Sequence, residues 1–165
     1  HLKPQPVAVL EAQETDEDFH ARFSAIGRHY LYKMIARRSP LTVDRGLVWR
    51  LSKPLDVEAM HAAGQVLIGT HDFTTFRSAH CQAQSPVKSI DAVSVTKTDG
   101  VIALQVSARS FLHNQVRSIA GSLKMVGEGA WSVDDMRGAL EAADRSRCGP
   151  VAPPDGLYLV AVDYP

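Results

Sequence analysis

The chain has 165 residues, 45% hydrophobic and 22% charged, which suits one soluble globular domain with a core of its own. Its 18 basic and 18 acidic residues cancel, which excludes a global positive field and leaves any nucleic-acid contact to local basic patches. Two cysteines, Cys81 and Cys148, are too few for a disulfide framework or a Cys-based zinc site, and no apolar run reaches membrane-spanning length.

Both thiols read as free in a reducing cytoplasm, and the opening HLKPQPVAV has no signal-peptide pattern. Val7 and Val9 alternate with Ala8 and Leu10, which predicts a short entering strand before an acidic stretch. From Arg28 the chain alternates strictly: Arg28, Tyr30, Tyr32, Met34 and Ala36 share one parity, and His29, Leu31, Lys33 and Ile35 the other. That period of two, rich in aromatic and β-branched residues, predicts a strand with Tyr30, Tyr32 and Arg28 along one wall. Each tyrosine has two readings, a ring packed in the core with its hydroxyl reaching out, or a ring facing a site.

Turn chemistry at Ser39-Pro40, Asp44-Arg45-Gly46 and Lys53-Pro54 brackets a candidate strand, GLVWRL. Asp56 is expected to cap a helix whose Val57, Met60, Ala63 or Gly64, and Leu67 form a core stripe, with Gly69 as its stop. THDFTTF then reads as a short helix or turn held by Thr70 and Asp72, with His71 and Asp72 assigned to capping rather than chemistry. Residues 78–86 read as a surface loop, and two β-rich runs around Asp99-Gly100 read as a hairpin, because both turn positions need positive φ.

Residues 110–129 carry the most information. Leu112, Val116, Ile119, Ala120, Leu123 and Val126 recur at steps of three and four, an amphipathic helix with Ser110 as its expected cap and Gly127 or Gly129 as its end. His113, Arg117, Gly121 and Lys124 line the opposite stripe. Arg117 either lies on a solvated face or points into a cleft to hold an anion or carboxylate. A further helix, capped by Ser132 with Asp135 in the box position and stapled by Trp131 and Met136, runs to about Ala143. A basic, Pro-rich loop leads to a last strand, LYLVAVDY. The element order gives an α+β fold: one domain over residues 1–165, with a mainly antiparallel sheet and helices packed on one face. No Gly-rich phosphate loop, GxSxG, HExxH or paired-Cys spacing occurs, which argues against a nucleotide cofactor and the corresponding hydrolase and metal chemistries.

FHARFSA at 19–25, RHYLY at 28–32, LIGTHDFTTF at 67–76, FLHNQVRSIAGSL at 111–123 and GLYLVAVDYP at 156–165 keep one order across nearly the whole chain. Together they resemble the tRNA pseudouridine synthase A family, in particular its larger, C-terminal part. The resemblance implies isomerisation of uridine to pseudouridine in the anticodon arm of tRNA, by an Asp nucleophile, with no cofactor and no metal. It also implies a homodimer for the full-length protein. By the same resemblance Tyr30 is the tyrosine that stacks on the flipped base, Arg117 the arginine that pairs with the nucleophile, and Leu157 an apolar wall for uracil. RNA contact falls to local cations, Arg22 and Arg28 foremost, with Lys33, Arg37, Arg38, Arg145 and Arg147.

Two departures stand out. Gln115 occupies a position where the family more often has Met, and the family's Gly-Arg-Thr-Asp-Ala-Gly motif does not occur in these residues. Thr98-Asp99-Gly100 is a superficial echo assigned to turn geometry, so the chain alone is expected to be inactive. Two rival readings are a non-enzymatic RNA-binding or protein-docking module, and a thiol enzyme using Cys81 with His80 or His71.

Overall fold

A strand in the middle of the sheet organises the molecule. In the computed structural model, which describes residues 4–165, β1 (Gly27–Ala36) pairs along its length with β5 (Val101–Ala108), antiparallel, from Arg28↔Ala108 to Ile35↔Val101. The first three residues of the opening stretch lie outside the described residues. The alternation read from the sequence places Tyr32 and Met34 in the core, fully buried, while His29, Leu31, Lys33 and Ile35 take the reverse face, half-buried. On that reverse face the His29 ring meets Ser107 Oγ at 2.8 Å and Asp163 Oδ2 at 2.7 Å, tying β1 to a neighbour on either side.

The other edge of β1 is shared. β6 (Leu157–Asp163) runs antiparallel beside its first half, and β2 (Trp49–Leu51) runs parallel beside its last three residues. Gly156 stands where one partner hands over to the other. Its φ is +98°, and a Cβ there would stand 2.5 Å from the Lys33 carbonyl oxygen and 3.1 Å from the Trp49 nitrogen. Only a residue without a side chain fits.

β4 (Val87–Thr98) joins β5 through a hairpin whose turn residues, Asp99 and Gly100, have φ of 50° and 82°, as the sequence predicts. β3 (Gly69–Asp72) closes the far edge, giving the order β2-β1-β5-β4-β3 with β6 beside β1, antiparallel except at β1–β2. Three helices cover the core face: α1 (Val57–Gln65), α2 (Gln115–Gly127) and α3 (Val133–Glu141). Met60, Phe73, Phe76, Leu104, Ile119, Leu123 and Met136 are all fully buried between sheet and helices. Each such side chain contributes roughly 1.5–3 kcal/mol relative to exposure. Among the described residues no helix is long and apolar enough to cross a membrane.

The caps follow local chemistry. Asp56 accepts from Ala59 N–H at 2.9 Å at the start of α1. Ser132 and Asp135 form a reciprocal capping box at the start of α3, as expected. α2 ends in a Schellman arrangement with Gly129 left-handed, its N–H donating to Val126 O and that of Ala130 to Met125 O.

Four expectations need correction. Residues 7–10 form no strand; they are exposed and pair with nothing in the sheet, so their alternation has no face to bury. α1 stops at Gln65 rather than Gly69, because Leu67 is drawn into the core and Gly69, at φ +105°, opens a strand instead. Residues 69–72 are that strand, paired with β4, and the helical part of THDFTTF is only a 3₁₀ turn at Thr74–Phe76, started by Asp72 accepting from Thr74 N–H. Ser110 does not cap α2. The helix begins five residues later, after Asn114 in the left-handed region, and the Gln115 side chain accepts the Leu112 N–H in place of a conventional cap.

Candidate active site

Where α2 begins, a cleft of about 740 Å³ opens between the start of that helix, β1, the first residue of β6 and the loop around Cys81. Arg22, Tyr30, Arg117 and Leu157 line it together. Arg117 occupies the first turn of α2, the end of a helix that disfavours a cation. The surroundings fix it there. Its Nε donates to the Ala152 carbonyl at 2.7 Å and its Nη1 to Asn114 Oδ1 at 3.0 Å, while the Ala152 N–H returns a bond to the Arg117 carbonyl at 3.1 Å. Both side-chain acceptors are neutral, and among the described residues Arg117 pairs with no carboxylate. The result is a half-buried guanidinium, held in one orientation, with its charge uncompensated and facing a cleft.

The opposite stripe of the helix is therefore no plain solvated face. Gly121 lies under the Pro150 carbonyl, and Lys124 makes a largely buried pair with Glu128 at 2.7 Å.

The two tyrosines divide. Tyr30 lines the cleft half-buried, braced edge-on by Phe111 with ring centroids 5.1 Å apart. Tyr32 is fully buried and donates its hydroxyl to the Pro153 carbonyl at 2.7 Å; burial pushes its phenol well above the ordinary value, offset in part by Arg117. Leu157 supplies an apolar wall at the first residue of β6.

The basic residues also part company. Arg22 is exposed at the rim, whereas Arg28 is not among the lining residues. The Arg28 guanidinium donates to the carbonyls of Arg22, Ala25 and Arg109, so it fastens the turn that presents Arg22. Asp99 sits in the hairpin turn and is absent from the lining.

Cys81 lines the cleft, but its partners are not histidine rings. Its sulfur accepts the His113 backbone N–H at 3.4 Å, and the Arg77 guanidinium donates to the Cys81 and Ala83 carbonyls. Burial pushes the thiol pKa up, and the Ala83 and His113 N–H groups with Arg77 outweigh it, leaving it below the ordinary value. His71, on β3 and outside the cleft, has its ring against the Ile68 carbonyl, and His80 lines the cleft beside Cys81 without a hydrogen bond from its ring to the sulfur.

Sequence reasoning missed Phe111, Asn114 and the Ala152 carbonyl. Asn114 carried a readable signal, an amide three residues before an arginine and of a type that tolerates the left-handed region. A backbone carbonyl thirty-five positions downstream carries none.

Comparison with known proteins gives the family. A family model described as tRNA pseudouridine synthase matches residues 63–165, which include Arg117, Leu157 and the Cys81 loop. The chain is 67% identical over 165 residues, its whole length and 66% of the relative's, to tRNA pseudouridine synthase A of Maricaulis maris. It is 58% identical over 164 residues to that of Parvibaculum lavamentivorans, covering 99% of this chain and 67% of the relative. The same 58% holds over 163 residues for the Rhizobium meliloti protein, covering 99% and 66%. The chain thus spans about two thirds of the length of these curated relatives. With a family model matched over residues 63–165 and relatives 58–67% identical over essentially the whole chain, the chain belongs to the tRNA pseudouridine synthase A family.

Proposed function

We propose that these residues form the C-terminal catalytic-domain portion of an enzyme that isomerises uridine to pseudouridine in the anticodon stem-loop of tRNA, and that the cleft is its uridine pocket. The observation that carries this reading is the Arg117 guanidinium, locked by neutral acceptors at a helix end that disfavours it and open towards the cleft. A planar fork so held suits an ionised carboxylate, and that carboxylate, the nucleophile, comes from outside these 165 residues.

Base and ribose reach such a pocket only when the nucleotide leaves its stack. Tyr30 offers the extruded uracil an aromatic face and a hydroxyl, and Leu157 a dry wall. The reaction breaks the N-glycosidic bond, joins the ribose carbon to C5 of the same base, and replaces the proton lost from C5 by one gained at N1, so atoms are conserved and no external oxidant or cofactor is required. Arg22 at the rim faces the phosphate backbone. By family likeness the full-length protein works in the cytoplasm as a homodimer.

The test uses anticodon-arm RNA and mass-spectrometric detection of pseudouridine. The full-length gene product forms it and the 165-residue chain alone does not; conversion by the chain alone overturns the assignment of the nucleophile. Arg117→Ala in the full-length protein lowers kcat at least about a hundredfold, the scale of stranding one member of a buried ion pair. Retention of full activity would remove Arg117 from the mechanism.

A further inference from the structure

Between the 3₁₀ turn at Arg145–Arg147 and β6 the chain lays a Pro-rich segment, residues 149–156, across α2 and onto β1. Three of its carbonyls in four residues are used on elements of the site. The Pro150 carbonyl lies against Gly121, one turn along α2 from Arg117, where a Cβ would stand 1.6 Å from its oxygen. The Ala152 carbonyl accepts Arg117 Nε, and the Pro153 carbonyl accepts the buried Tyr32 hydroxyl. The segment is pinned at both ends: Gly149 N–H donates to Ser122 Oγ at 3.1 Å, and Lys33 N–H donates to the Gly156 carbonyl at 2.8 Å. Pro150, Pro153 and Pro154 restrict its backbone further, and Ala152 is fully buried.

We propose that this strap aims Arg117, and that Gly121 and Tyr32 are positioning residues for it. The proposal rests on the reading of Arg117 as the partner of the attacking carboxylate. Gly121 sets how closely the strap approaches the helix, and Tyr32 sets where the strap lies over β1. Between them they fix the Ala152 carbonyl, which takes the Nε–H and so turns the terminal nitrogens of the fork into the cleft. Surface packing of a loop would not need a glycine at Gly121 or a buried hydroxyl under Pro153, because any apolar contact would serve. Misplacing a charged group by a fraction of an ångström is enough to slow chemistry without weakening binding.

The experiment measures kcat and KM for tRNA, with thermal midpoints, in the full-length protein carrying Tyr32→Phe, Gly121→Ala and Arg117→Lys, singly and as the Tyr32→Phe/Arg117→Lys double variant. Tyr32→Phe is expected to lower kcat about tenfold while KM stays within about twofold. In the Arg117→Lys background the same change is expected to cost less than about twofold, because lysine has no Nε–H for the Ala152 carbonyl to orient. Unchanged kcat in Tyr32→Phe, or losses that multiply in the double variant, would overturn the strap as an aiming device. If Gly121→Ala does not fold, Tyr32→Phe and the double variant decide alone. Arg117→Lys with undiminished kcat would instead sink the reading of Arg117 itself.

Discussion

Arg117, Arg28 and Cys81 show how little a residue's type decides before its neighbours are known. Arg117 and Arg28 are both half-buried guanidinium groups. One spends two donors on neutral acceptors and keeps its charge for the cleft; the other donates to three carbonyls and holds a turn. Cys81 has a thiol held below the ordinary range by N–H donors and Arg77 against the opposing effect of burial. A lowered pKa keeps the thiolate populated to lower pH, so the pH profile of its alkylation by iodoacetamide is expected to have its midpoint below that of the same cysteine in the urea-unfolded chain. Measured in a Cys148→Ser background, a midpoint at or above the unfolded value would contradict the geometry. Cys81→Ser is expected to leave pseudouridine formation within a fewfold of wild type, since among the described residues the sulfur's hydrogen bond is to the His113 backbone N–H and none is made to a histidine ring.

At the scale of elements, start and stop signals were legible wherever the capping group was local. Asp56, the Ser132–Asp135 box and Gly129 act within one turn of the backbone they satisfy; the first two could be placed from spacing, and the end of α2 was narrowed to Gly127 or Gly129. The start of α2 could not. Its first donors are met by Gln115, whose role depends on the path of residues 109–113 after β5, and Ser110 was the more conventional candidate. β3 was hidden for a related reason: four residues with a single pairing edge carry too short a period to read, and only β4 beside them makes a strand. The α3 box also sets a pH dependence. Ser132 N–H and hydroxyl hold the Asp135 carboxyl below its ordinary value. A depressed folded pKa gives stability that is present above the unfolded pKa and disappears as pH falls through the folded one. Asp135→Asn is therefore expected to flatten the acid side of the stability profile, read from urea midpoints of the full-length protein below pH ~4. An unchanged acid limb would show the box to be silent.

For the whole molecule, the decisive arrangement is one strand with three partners. β1 takes β5 on one edge and divides the other between β6 and β2, and the division turns on Gly156. Gly156→Ala places a methyl group 2.5 Å from the Lys33 carbonyl in a left-handed conformation. It is expected to destabilise by at least about 2 kcal/mol, read as a fall in the urea midpoint; a shift below about 0.5 kcal/mol would mean that the handover relaxes freely.

Alternation, helical periodicity and turn chemistry are properties of neighbouring residues, so the sequence by itself determined the α+β class, the hairpin, the core faces and, through several short segments, the family. It also brought Arg117, Tyr30 and Leu157 forward as candidates. Only the tertiary structure decided that Tyr32 is sealed in the core with its hydroxyl on the Pro153 carbonyl, that Arg28 holds a turn, and that a carbonyl from residue 152 takes the Arg117 Nε–H. Those outcomes depend on groups far apart in the chain meeting within hydrogen-bond distance, and pairwise distance across the fold is what local pattern does not encode.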